Sequence, residues 1–100
     1  MGIIGTLLES KLSKKAVERM LAGITLGMIH GVERGEIDQA CLLEDVYNPD
    51  SVAVARKALL GLDLIEMFET ASKIKGMNAE DLPVTYERIK DLAHIILNQE

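Results

Sequence analysis

Tryptophan is absent from this chain, and only three of its 100 residues are aromatic: Tyr47, Phe68 and Tyr86. Its core must therefore be built from Leu, Ile, Val, Met and Ala, of which Leu, Met and Ala are strong helix formers. Thr and the aromatics, which favour strands, are scarce. A single cysteine excludes an internal disulfide. Cys41 sits between Ala40 and Leu42, with Asp38, Glu44 and Asp45 close by in sequence. That setting fits a small buried hydrophobe better than a reactive thiol, which wants basic or His neighbours. Long apolar runs are missing as well. Residues 20–32 form the longest nearly uncharged stretch, thirteen residues including His30, against the ~20 needed to span a bilayer. The opening MGIIGTLL has no positive n-region and no cleavage site at the right distance, so a cytoplasmic location is expected, without stable membrane insertion.

Acids outnumber bases, for a formal net charge of −5. Such a balance disfavours nonspecific binding to nucleic acid or anionic lipid. The charge is unevenly spread. Residues 1–34 carry +2, residues 35–50 hold five acids and no base, residues 51–76 return to +1, and residues 77–100 carry −3. A mildly basic start and an acidic middle can pair with a second copy or with a basic partner.

What remains is a chain of helical patterns. At this length residues 1–100 read as one helical domain. Thr6 and Glu9 fit a capping box and could open a short N-terminal helix. Ser13 could cap a second start, although Lys14 and Lys15 suit a positive helix N-terminus poorly, which leaves one continuous helix from Leu7 open. Helix then runs through residues 16–34 and stops at Gly35. A shorter segment follows at 36–47. Asn48-Pro49-Asp50 gives a strong start for a long helix over 49–75, ending at Gly76. Its expected apolar face is Val54, Ala55, Ala58, Leu59, Leu62, Ile65 and Phe68. Asp81 and Pro83 open the last helix, with Tyr86, Ile89, Leu92, Ala93 and Ile96 on one side. Short connections between such helices predict an all-α, up-and-down bundle of four main helices.

Chemistry finds little foothold. His30 and Glu33, and Asp91 and His94, are each three apart, but neither pair has the Glu-x-x-His order of di-metal bundles. The two His are expected at opposite poles of an up-and-down bundle, so no metal site is assigned. Ser10, Ser13, Ser51 and Ser72 lack a nucleophile elbow, and no strand precedes the glycines to make a phosphate loop. Residues 42–59 faintly resemble a helix-turn-helix with Arg56 and Lys57 reaching outward, but five acids beside them would oppose phosphate. No catalytic residue and no cofactor is implied. Met1-Gly2 with Thr6 matches the N-myristoylation pattern. The simpler reading makes Ile3, Ile4, Leu7 and Leu8 an apolar arm that docks on the bundle or on a neighbouring subunit.

One feature has no bland explanation in the sequence. Gly23, Gly27 and Gly31 recur every four residues inside a helix pattern, and each costs about 1 kcal/mol relative to Ala there. Side-chain-free positions on one face let another backbone approach closely. The partner could be a helix of the same chain, a second copy or a flat ligand. The reading favoured is a non-enzymatic helical module for protein interaction or self-association, most simply a homodimer. Its rival is a bundle that binds a small ligand or metal in its core, with or without catalysis there.

Overall fold

The computed structural model describes residues 11–40 and 49–99. Among them are four α-helices and no strand: α1 (Lys14–Glu33), α2 (Pro49–Lys57), α3 (Leu62–Ser72) and α4 (Leu82–Asn98), packed as a small all-α bundle. A 3₁₀ turn, Ala79–Asp81, leads into α4.

Ser13 settles where α1 begins. Its hydroxyl accepts the N–H of Ala16 at 3.1 Å, one of the orphan donors of a helix start, and the helix begins at Lys14 despite the two lysines. The buried face of α1 is Val17, Leu21, Ala22, Thr25 and Ile29. Thr25 lies fully buried because its hydroxyl donates back to the Leu21 carbonyl at 2.7 Å. At the other end Gly35 takes φ +75°, its N–H bonds the Val32 carbonyl, and the N–H of Glu36 bonds that of Gly31. The left-handed glycine stop is the one the sequence predicts. Asp38 then accepts the N–H of Ala40, and residues 39–40 are helical.

The predicted helix over 49–75 is not continuous. It breaks between Lys57 and Leu62 into α2 and α3, and the Arg56–Glu69 ion pair ties the two arms together. Leu59 adopts φ +59°, with its N–H on the Arg56 carbonyl and the next N–H, of Leu60, on that of Ala55. This is the hydrogen-bond pattern of a glycine-terminated helix, made here by a leucine. The break resets the helical phase. Leu60, Leu64, Met67 and Ala71 enter the core with Phe68, whereas Val54, Leu59 and Leu62, expected inside, stand exposed.

The last helix follows its sequence pattern throughout. Tyr86, Ile89, Leu92, Ala93 and Ile96 are all buried, and α4 packs against both α1 and α3. Arg19 bonds the Gln99 carbonyl at one end of α4, while Glu33 meets Lys90 at 3.0 Å nearer the other, so α1 and α4 run antiparallel.

Candidate functional site

The glycine positions divide. Gly31 is buried, and a Cβ there would run into Ile37 Cδ1 and stand 2.8 Å from Cγ1. Close approach within the chain therefore accounts for this glycine. At Gly23 and Gly27, by contrast, nothing among the described residues lies within 4 Å of an added Cβ, and both are exposed. Spacing explains their direction: at 100° per residue they fall roughly opposite Thr25 and Ile29, on the outward side of α1. Met20, 44% exposed, and half-buried Ala16 and Ile24 share that side. The outcome is a shallow apolar strip, low enough at Gly23 and Gly27 for another backbone to reach the helix. Ile3, Ile4, Leu7 and Leu8, the proposed arm, lie outside the described residues, as does Cys41.

Tyr86, Arg88 and Lys90 are held by bonds that tie the helices together. Burial pushes the Tyr86 hydroxyl up from its usual 10.0, opposed by a hydrogen bond in which Gln39 donates to its oxygen at 3.0 Å. The Lys90 ammonium is held above 10.5 chiefly by its bond to Glu33, with Glu87 adding to it. Arg88 pairs with Glu66 at 2.7 Å, which raises its pKa further, and Gln99 donates to Asp63 at 2.9 Å. These links join α1 to α4 and α3 to α4.

For the histidines, one expectation needs correcting. The antiparallel register of α1 and α4 places His30 and His94 at neighbouring levels and not at opposite poles. Both are exposed, and His30 stands 3.8 Å from Glu33. No group of three or more His, Cys, Asp or Glu among the described residues is arranged to hold a metal ion. Arg56, offered as a groove reader, is engaged with Glu69 instead. No described helix is long and apolar enough to cross a membrane.

Leu59 and Leu62, which the sequence puts on the broad apolar face of one long helix, are the two most exposed large apolar side chains described, at 76% and 85%, and stand at the break. Its signal was Gly61 followed by Asp63, a weak cap inside what reads as an unbroken helix. No protein-family model matches this chain, and no curated protein or solved structure matches it either.

Proposed function

We propose that this protein is a non-enzymatic helical module that associates with itself, a homodimer built on the outward strip of α1. One observation carries the reading: Gly23 and Gly27 weaken the helix, and nothing described within the chain uses the space they leave. A symmetric pair places one such strip against its copy, so each glycine clears the way for the other chain's backbone, and Met20 and Ile24 lose their exposure to water. Helices crossing at such a strip approach closely enough for many weak contacts to add up.

Size-exclusion chromatography with light scattering tests the reading. The wild-type chain should have twice the 11.0 kDa mass at micromolar concentration, and Gly27→Leu should give a folded protein of single mass. A wild-type mass that stays at the single value on concentration would overturn it.

A further inference from the structure

We infer that the corner between α2 and α3 docks on an anionic lipid surface. Leu59 holds a left-handed backbone, φ +59°, in which Asn or Gly would be less strained. The turn itself serves the fold, because it delivers Leu60 to the core. The Leu59 side chain does not: it is 76% exposed. Leu62, the first residue of α3, is 85% exposed. Two leucines three residues apart thus project from a convex corner, one of them against its own backbone preference.

Lysines lie on both segments that meet there. Lys57 ends α2 two residues before Leu59. Glu18 brings the start of α1 to the same corner, because its carboxylate receives the N–H of Gly61. Lys14 and Lys15 lie one turn before Glu18, and exposed Lys11 and Leu12 precede them. Of the nearby acids, Glu18 and Asp63 are half-buried and bonded to Gly61 and to Gln99. A chain of net charge −5 thus carries four exposed lysines on the two segments that meet at the exposed leucines. The convex shape decides the class of partner. A protein partner would need a cavity to receive the leucines, whereas a bilayer interface admits protruding apolar side chains anywhere and its anionic headgroups meet the lysines. The contact is peripheral, at the depth of the headgroup boundary, and does not use the α1 strip.

The test is co-sedimentation of the full chain with vesicles of phosphatidylcholine alone or mixed with phosphatidylserine. Wild type should bind the mixed vesicles and not the neutral ones, and added salt should release it. Leu59→Asn with Leu62→Ser should lower the bound fraction constant by about tenfold or more, and Lys14→Gln with Lys15→Gln should do so by a similar factor. Circular dichroism confirms that each variant is folded, and all four residues are exposed. Absence of binding to the mixed vesicles would overturn the inference. So would equal binding by wild type and the leucine variant. A change in oligomer size caused by the leucine variant would assign the corner to a protein contact and also overturn it.

Discussion

The carboxylate of Glu18 on α1 accepts the backbone N–H of Gly61, the residue that caps α3. The third helical residue, whose Glu or Gln takes the cap N–H in a capping box, is Leu64 here, so a residue 43 positions before Gly61 accepts that N–H instead. The lack of a Cβ is part of the arrangement, since one would stand 2.8 Å from the Glu18 oxygen. Glu18→Ala should cost about 1 kcal/mol in chemical denaturation, the scale of a lost helix cap. Gly61→Ala should cost a similar amount and add little in the Glu18→Ala background, because both act on one contact. Additive losses would mean that the two residues are not coupled.

Neighbouring leucines should respond oppositely. Leu60 is 4% exposed, and truncation to Ala should destabilise by roughly 2–5 kcal/mol. Leu59→Asn removes no buried contact and relieves a left-handed leucine, so it should stabilise by about 0.5–1 kcal/mol. Urea unfolding of the two variants checks both signs.

The glycines of α1 offer a similar contrast. Gly27→Ala meets open space and should gain about 1 kcal/mol in intrinsic helix stability. Gly31→Ala must displace Ile37, and overpacking of roughly 1–3 kcal/mol outweighs the same gain in propensity. Thermal melts at one protein concentration distinguish them. Gly27→Leu, sized alongside, reports on the strip as a contact between copies.

Alkaline pH should destabilise the fold. Tyr86 in the folded chain holds its proton above 10.0, and Lys90 holds its own above 10.5. Each therefore contributes stability that is complete below its unfolded value. That contribution is lost as pH rises through the window between the unfolded and folded values, where the folded chain binds more protons. Tyrosinate absorbance in a Tyr47→Phe background should show Tyr86 ionising above 10.0. Ionisation at or below that value would contradict the burial of its hydroxyl.

How far the sequence reveals the fold depends on the element. Every residue predicted for the inner face of α4 is inside, because a uniform period and a proline start leave its phase no freedom. The α1 stop is equally legible in Gly35. The α2–α3 break is not, since a leucine occupies the position where glycine is the usual sign, and the energy that tolerates it comes from burying Leu60. The break turns Leu59 and Leu62 away from the face an unbroken helix would give them. Among the candidate site residues, the spacing of the glycines was evident, but their direction was not. Apolar residues surround α1 on several sides, so only packing decides which glycines face Ile37 and which face outward.

The place of α4 between α1 and α3 has a consequence for the order of events during synthesis. Both earlier helices rest their apolar faces mainly on α4, which leaves the ribosome after them. Until it emerges, Leu21, Ile29, Leu64 and Phe68 lack Tyr86, Ile89, Leu92, Ala93 and Ile96, which complete the same core. Among the described residues, α2 and α3 can close early through contacts near in sequence, and Glu18 can meet Gly61. The nascent chain must therefore pass through a stage in which two amphipathic helices wait with their apolar faces uncovered, and its exposure to aggregation ends only when residues 82–98 are free to join them.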